Sequence, residues 1–110
     1  GWNRMEQHYS SPLLTSFLHI SCYDGERLVG YADSVSNGLT DAYIQDVMVH
    51  PDYQGKGIGT ELMKRMIARL KERKIYMISC IYGEPELSSF YKWFAFTEML
   101  CGQLQTYETE

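Results

Sequence analysis

Three glycines stand at alternate positions in the segment Gln54-Gly55-Lys56-Gly57-Ile58-Gly59, and this type and spacing of residues could bind an anion. An anion held by backbone N–H groups needs several amides that point into one hollow, and glycines leave the approach to those amides open. Lys56 adds a positive charge to the same segment. The segment therefore predicts a phosphate-binding loop.

The residues that follow predict an amphipathic helix that begins inside this segment. Its apolar side chains fall on one helical stripe: Ile58, Leu62, Met63, Met66, Ile67 and Leu70. Its outward side carries charged residues: Glu61, Lys64, Arg65 and Arg69. The first amides of a helix lack intrahelical acceptors and the helix dipole is positive there, so this end favours a phosphate. A glycine-rich turn that only connects a strand to a helix is the alternative explanation.

The segment fits neither of two common phosphate loops, because the dinucleotide fingerprint G-x-G-x-x-G and the P-loop pattern G-x-x-x-x-G-K-S/T are both absent. The order Q-G-K-G-I-G instead resembles the Q/R-x-x-G-x-G/A signature of the GCN5-related N-acetyltransferases. The preceding V-M-V-H-P-D-Y, residues 47–53, resembles the strand and turn that introduce this signature. The resemblance implies that acetyl-coenzyme A is a co-substrate whose pyrophosphate is bound by Gln54, Gly55, Lys56, Gly57, Ile58, Gly59 and Thr60.

The activity implied by the resemblance is the transfer of an acetyl group from acetyl-coenzyme A to an amine. An ammonium group with a pKa of about 10 is mostly protonated at pH 7, so a base must remove a proton before the attack. Asp46 is the first candidate, because it lies in an otherwise apolar strand-like run where desolvation could raise its pKa. A solvated or paired carboxylate is the alternative for Asp46, and Glu84 is the second candidate base.

The other catalytic roles are implied by the family. The resemblance assigns the oxyanion to a backbone amide at Met48 or Val49, and the pantetheine arm to the strand edge formed by Val47, Met48 and Val49. Tyr91 lies in S-F-Y-K-W-F-A-F, which resembles the family's F-Y-x-x-x-G-F, and takes the position of the general acid that protonates the leaving thiolate. A core residue on a helix face is the alternative for Tyr91.

Two residues depart from the family pattern. Ala95 stands where the family usually has glycine, and a left-handed conformation there would cost about 1 kcal/mol. Glu84 stands where many members have an asparagine that contacts the carrier, so either that contact is missing or the carboxylate faces a cationic acceptor. His50, in the turn His50-Pro51-Asp52, is interpreted as a structural turn residue rather than a base.

The pattern of secondary structure predicts an α/β (α+β) fold in a single domain, residues 1–110. Three antiparallel strands are predicted at residues 17–22, 27–34 and 42–49, with turns at Asp24-Gly25 and Asn37-Gly38. A helix at about residues 57–73 leads to a parallel strand covered on both faces, residues 75–82. A helix of roughly ten residues follows Pro85, and residues 96–107 are predicted as strand, with Gly102 as a bulge or turn. This order resembles the acyl-CoA N-acyltransferase fold, a mixed sheet flanked by helices.

The first 16 residues supply only part of a helix, around residues 4–9, so the fold is expected to be N-terminally shortened relative to the family. A natural short member, a trimmed chain and an edge strand donated by a second subunit are the alternatives, and the last would make a homodimer. A module that binds acetyl-coenzyme A or coenzyme A without acyl transfer is the competing function.

The composition limits the kinds of partner that the protein could bind. The chain has 45% hydrophobic residues, 22% charged residues and a net charge of −4, which favours neither nucleic acid nor an anionic membrane. No apolar run approaches the roughly 20 residues that span a bilayer, and no signal peptide is recognised, so a cytoplasmic protein is expected. Cys22, Cys80 and Cys101 predict buried reduced thiols, and no metal site is expected. The acceptor is expected to be a small-molecule or peptide amine.

Overall fold

Strands and helices follow one another along residues 17–106, the part of the chain that the computed structural model describes. The first three strands are β1 (Leu18–Asp24), β2 (Arg27–Ser36) and β3 (Asp41–Val49). They are followed by helix α1 (Ile58–Glu72), strand β4 (Met77–Cys80) and helix α2 (Ser88–Trp93). Short 3₁₀ turns precede the two helices, at Pro51–Tyr53 and Pro85–Leu87. The partial helix predicted around residues 4–9 lies outside the described residues.

The chain divides between Cys80 and Ile81 into two compact units. The first unit contains the four strands and α1, and the second contains α2. A single domain for residues 1–110 therefore stays a prediction.

The four strands form one mixed sheet in sequence order. β1 pairs with β2 and β2 with β3 in antiparallel fashion, whereas β4 lies parallel to β3. In the first turn Gly25 has φ +62°, the left-handed region that glycine enters without a steric cost. In the second turn, Oδ1 of Asn37 accepts hydrogen bonds from the amides of Leu39 and Thr40, each at 2.9 Å. Both predicted hairpins and the parallel fourth strand are confirmed.

The predicted amphipathic stripe of α1 packs on one face of the sheet. Leu62, Met63, Met66 and Leu70 are buried, and the charged residues of the opposite side are exposed. Gly30 of β2 permits this packing, because a Cβ there would lie 3.4 Å from Cδ1 of Leu62 and closer still to Ile58. Burial of the stripe is what stabilises the helix, since packing contributes more than intrinsic propensity.

The prediction of a long strand buried on both faces at residues 75–82 is wrong. β4 has four residues, its burial alternates, and Met77 is 50% exposed. It pairs only with residues 41–44 of β3, from Asp41 opposite Met77 to Ile44 opposite Cys80. A strand extends only as far as its ladder of hydrogen bonds, and the length of the apolar run does not encode where that ladder stops.

The second unit confirms the short helix and contradicts the last strand. The 3₁₀ turn Pro85–Leu87 runs into α2, which together approximate the predicted helix after Pro85. Residues 96–106 form neither strand nor helix, so Gly102 is neither a bulge nor a hairpin turn, while Tyr107 lies outside the described residues. Met99, Leu100 and Leu104 are almost fully exposed. Strand propensity without a paired neighbour does not make a strand.

Candidate functional site

The glycine segment adopts the backbone that a phosphate loop requires. Gly55 and Gly57 have φ +80° and +85°, and a Cβ at either would meet no atom within 4 Å. Glycine is therefore required by the backbone conformation rather than by crowding. Gly57 is the N-cap of α1, no side chain caps this end, and the amide of Glu61 makes the first helical bond to the Gly57 carbonyl at 3.1 Å. The amides before Glu61 are left for an external acceptor.

Two side chains fix the approach to this loop. Nδ1 of His50 accepts a hydrogen bond from the amide of Asp52 at 3.1 Å and so caps the 3₁₀ turn. The interpretation of His50 as a turn residue is supported by this bond. Nε2 of Gln54 donates to the carbonyl of Val49 at 3.1 Å. The first residue of the signature therefore ties the loop to the end of β3.

Two positively charged side chains lie close to the ring of Tyr53, just before the glycine loop. Nζ of Lys56 lies 5.4 Å from the ring centre and the guanidinium carbon of Arg27 lies 5.8 Å from it. Arg27 also places Nη2 2.8 Å from Nε2 of His50, and the Tyr53 hydroxyl donates to Asp24. Sequence reasoning missed Arg27, because it comes from the start of β2 and only the folded sheet brings it to the loop.

β3 changes its pairing in the middle of the predicted site. Asp33 pairs with Asp46 and Ser34 with Ile44, so Gln45 is an extra residue and forms a β-bulge. Pairing with β4 also ends at Ile44. The last part of β3 therefore continues past the end of β4 toward the glycine loop. It contains the predicted pantetheine contacts, Val47, Met48 and Val49. A bulge commonly redirects side chains beside an active site.

Asp46 occupies the environment that the sequence predicted. It is half-buried in β3, and desolvation raises the pKa of its carboxyl group. Asp33, directly opposite on β2, is completely buried and was not singled out by any sequence motif. Burial and then the charge on Asp46 raise the pKa of Asp33. The strand register was the missing signal, since the two residues are 13 positions apart in the sequence.

The first unit thus brings together the glycine loop, the end of β3 and Asp46. Tyr91 and Glu84, the other predicted site residues, belong to the second unit. Tyr91 is 9% exposed on α2, its ring stacks on Tyr82 with 4.6 Å between centres, and Phe90 and Phe96 meet it edge-on. Glu84 is exposed at the start of the 3₁₀ turn, where its carbonyl accepts from the amide of Leu87 at 3.0 Å. The roles of Tyr91 and Glu84 at the site stay predictions.

Ala95, which stands where the family usually has glycine, has a left-handed conformation. Its φ is +72°, and the amides of Ala95 and Phe96 donate to the carbonyls of Lys92 and Tyr91 at 2.8 and 3.2 Å. These two bonds form a Schellman motif at the end of α2. The position usually held by glycine is therefore filled here by a residue with a Cβ.

The cysteines differ from their predicted burial. All three are free, but Cys101 is exposed and only Cys22 and Cys80 are partly covered. Burial raises the pKa of the Cys80 thiol to about 11, which disfavours a reactive thiolate. Across residues 17–106, no group of three or more His, Cys, Asp or Glu side chains could hold a metal ion. Within the same residues, no helix is both long and apolar enough to cross a membrane.

Comparison with known proteins identifies the family to which a chain with this glycine loop, bulged strand and mixed sheet belongs. The protein family described as "Acetyltransferase (GNAT) family" matches residues 2–96 of the chain. The chain belongs to this family and has its acyl-CoA N-acyltransferase fold, as predicted.

Three relatives show how far the similarity extends. The uncharacterized N-acetyltransferase ycf52 of Porphyra purpurea is 41% identical over 66 residues, which cover 60% of this chain and 37% of that protein. Serotonin N-acetyltransferase 2, chloroplastic, of Oryza sativa subsp. japonica is 34% identical over 70 residues, covering 64% and 34%. The solved GNAT family protein SP0256 of Streptococcus pneumoniae has a TM-score of 0.71 and 30% identity, covering 98% and 80%. The chain spans less than two fifths of the length of the two curated relatives.

Proposed function

We propose that this protein transfers an acetyl group from acetyl-coenzyme A to a primary amine by direct attack in a ternary complex. The observation that carries the proposal is the loop at Gly55 and Gly57, whose left-handed glycines lead into the uncapped N-terminus of α1. Membership of the acetyltransferase family supports the same donor. The acceptor is a small-molecule or peptide amine.

The donor would bind along the first unit. Its pyrophosphate accepts hydrogen bonds from the amides of residues 55–60, where the helix dipole and Lys56 add positive charge. Its pantetheine arm runs along Val47, Met48 and Val49, the segment of β3 that continues beyond the pairing with β4. When bound, acetyl-coenzyme A supplies the thioester that the amine attacks. An amide at Met48 or Val49 stays our predicted donor to the oxyanion.

Asp46 is the proposed base. Desolvation raises its pKa toward the range in which a carboxylate can accept a proton from an ammonium group, either directly or through water. Its place two residues before Met48 puts it on the same strand as the proposed thioester site. Glu84 is exposed at the surface of the second unit, and we keep it as the second candidate.

Tyr91 is the proposed acid. A phenol with an ordinary pKa of about 10 is protonated at pH 7 and can donate to a thiolate as charge develops on sulfur. The stacking of its ring on Tyr82 and the edge contacts from Phe90 and Phe96 hold the ring in one orientation. A core residue would make the same ring contacts. Only removal of the hydroxyl group therefore distinguishes a proton donor from a core residue at this position.

The deciding experiment offers acetyl-coenzyme A and a panel of amines to the protein and measures the release of free coenzyme A thiol. The panel contains arylethylamines, because one relative is named serotonin N-acetyltransferase, together with polyamines and lysine-containing peptides. We expect turnover with at least one amine and thermal stabilisation by coenzyme A. Stabilisation without turnover would indicate a binding module, and the absence of both would refute the proposed binding of coenzyme A by the glycine loop.

The place of the reaction in the cell is also a prediction. The sequence favours a cytoplasmic protein, whereas one relative carries a chloroplastic name. A homodimer likewise stays a prediction, and sedimentation of the purified chain would decide it.

A further inference from the structure

Two aspartates lie directly opposite each other on neighbouring strands of the sheet. The β2–β3 register puts Asp33 directly opposite Asp46, and the β1–β2 register puts His19 opposite Asp33. Side chains of directly opposed residues leave the same face of a sheet, with β-carbons about 4.5–5.5 Å apart. Gly30 faces Ile58 of α1 and Asp33 lies three residues later, so this row lies on the face away from α1.

Asp33 is the less accessible member of the pair. It is 0% exposed, and its Oδ1 has no hydrogen-bond partner among the described residues. Its Oδ2 accepts from Nε2 of Gln45, the bulged residue, at 3.5 Å, which is the outer limit of a hydrogen bond. An ionised carboxylate with an unpaired buried oxygen is unfavourable, and a neutral carboxylic acid is much less so.

Few of the charged and titratable groups that the described strands place on this face could neutralise the pair. The described strands place His19, Tyr31, Tyr43 and the exposed Asp41 there, and the ring of His19 stacks on Tyr31 with 5.9 Å between centres. Arg27 is the only Lys or Arg within β1–β4, and it lies six residues before Asp33, about 20 Å along the strand. Of these groups only His19 could offset a negative charge on Asp33.

We propose that Asp33 and Asp46 hold one proton between them, and that this proton stays on Asp33 while Asp46 is ionised. Two ionised carboxylates directly opposite each other repel, so the pair loses its protons in two separate steps. The half-buried carboxylate retains water and ionises first, and the buried one keeps its proton. Asp33 is then a positioning residue, which leaves Asp46 as the carboxylate of the pair that can take up a proton.

The directions of the pKa shifts agree with this order. Burial is the largest effect on both residues, but the charge on Asp46 raises the pKa of Asp33 further, whereas burial alone raises that of Asp46. Gln45, His19 and a hydrogen bond from the backbone amide of Asp46 lower the pKa of Asp33 by smaller amounts. The role in proton uptake from an amine rests on the proposed transferase function, while the proton held by the pair does not.

The direct test is a titration of the aspartate side-chain carboxyl carbons by NMR in the whole chain. In the wild-type protein we expect Asp46 to ionise first and Asp33 to stay protonated at that pH. Asp46→Asn should lower the midpoint of Asp33 by roughly one unit or more, because the repulsion is gone. Asp41→Asn removes the same charge from an exposed position of β3 and should move neither midpoint. Joint ionisation of both residues at one pH would overturn the proposal.

Asp33→Asn supplies the second readout. An asparagine resembles the protonated acid, so Asp46 should titrate at an unchanged pH and the acidic limb of the amine acetylation profile should stay in place. A limb that moves to lower pH would mean that Asp33 was charged in the wild type, which contradicts the proposal. If Asp33→Asn does not fold, the wild-type titration still decides. If no amine is acetylated, the transferase function fails while the titration remains valid.

Discussion

Gly30 of β2 lies so close to Ile58 that a Cβ added to the glycine would stand 2.8 Å from Cγ2 of Ile58. Ile58 is the first residue of α1 and follows the N-cap Gly57 directly. The same Cβ would lie 3.2 Å from the Cβ of Cys22 on the neighbouring strand. The position of the predicted phosphate loop is therefore coupled to the absence of one side chain on the sheet.

Gly30→Ala is expected to destabilise the protein by about 1–3 kcal/mol, because overpacking at a strand–helix contact forces a shift of α1. The shift begins at Ile58, so thermal stabilisation by coenzyme A should also fall. Urea unfolding and thermal shift measure the two effects. Gly102→Ala is the control, since a Cβ there would meet no atom within 4 Å and its φ is not positive. Equal stability of the two variants would refute the close contact.

Gly57→Ala is expected to weaken the binding of coenzyme A more than it weakens the fold. A Cβ at φ +85° strains the loop by about 1 kcal/mol and moves the first amides of α1 away from the pyrophosphate. Gly25→Ala is the matched control, because Gly25 is also left-handed and also has open space around it, but lies in the β1–β2 turn. Calorimetric titration with coenzyme A should separate the two variants. Similar affinities in both would count against the loop as the binding site.

Ala95→Gly is expected to stabilise the protein by about 0.5–1 kcal/mol, because it removes a Cβ from the left-handed position that ends α2. Lys74→Gly should act likewise, since Lys74 has φ 62° and α1 ends with a bond of the same kind, from the amide of Ile75 to the carbonyl of Leu70. Ala68→Gly, at an exposed interior position of α1, should instead destabilise by about 1 kcal/mol. Denaturant unfolding should show these opposite signs, and destabilisation by Ala95→Gly would be contrary to the left-handed conformation.

Tyr91→Phe is expected to lower kcat by roughly 100-fold with little change in the KM for acetyl-coenzyme A, because only the proton donor is lost. Tyr82→Phe is the matched control, since its ring stacks on Tyr91 and it loses a hydroxyl group without a proposed catalytic role. Steady-state kinetics with the best amine of the panel measures both. Unchanged turnover in Tyr91→Phe would leave Tyr91 as a packing residue.

Asp33→Asn is expected to flatten the dependence of stability on pH. Burial and the charge on Asp46 raise the folded-state pKa of Asp33 above its unfolded value of about 3.9. Between these two values the folded protein binds more protons than the unfolded chain, so the free energy of unfolding falls as the pH rises. Below the unfolded value this loss is absent, because both states are protonated.

Urea unfolding at a series of pH values from about 3 upward measures this slope, since the window opens near the unfolded value of about 3.9. An asparagine does not titrate, so the Asp33 part of the decline should disappear. Asp41→Asn, at an exposed position of the same sheet, is the control and should keep the Asp33 part of the decline. A wild-type slope in Asp33→Asn as well would show that Asp33 has the same protonation in both states.

Local patterns predicted the elements that depend on local forces. The stripe from Ile58 to Leu70 predicted α1 and its buried side, because a helix makes its backbone bonds within itself. Gly25 and Asn37 predicted the two hairpins, since each turn needs its own residue type. The family pattern marked Ala95 as a position usually held by glycine, and the structure shows a left-handed conformation there.

Elements that depend on distant partners were not predictable in this way. β4 stops after Cys80, and residues 96–106 form no strand despite similar apolar content, because a strand needs a neighbour whose place the sequence does not state. The exposure of Cys101 was missed for the same reason.

By itself the sequence determined the family, the glycine loop and the helix that begins in it, since glycines, charges and helical periodicity act within a few residues of one another. Only the tertiary structure brought Arg27 to the loop and set Asp33 against Asp46. Strand register decides which distant residues become neighbours, and register is fixed by the packing of whole strands rather than by any residue within them. Asp46, the carboxylate that the sequence proposed as the base, is in the folded sheet one member of a pair with Asp33.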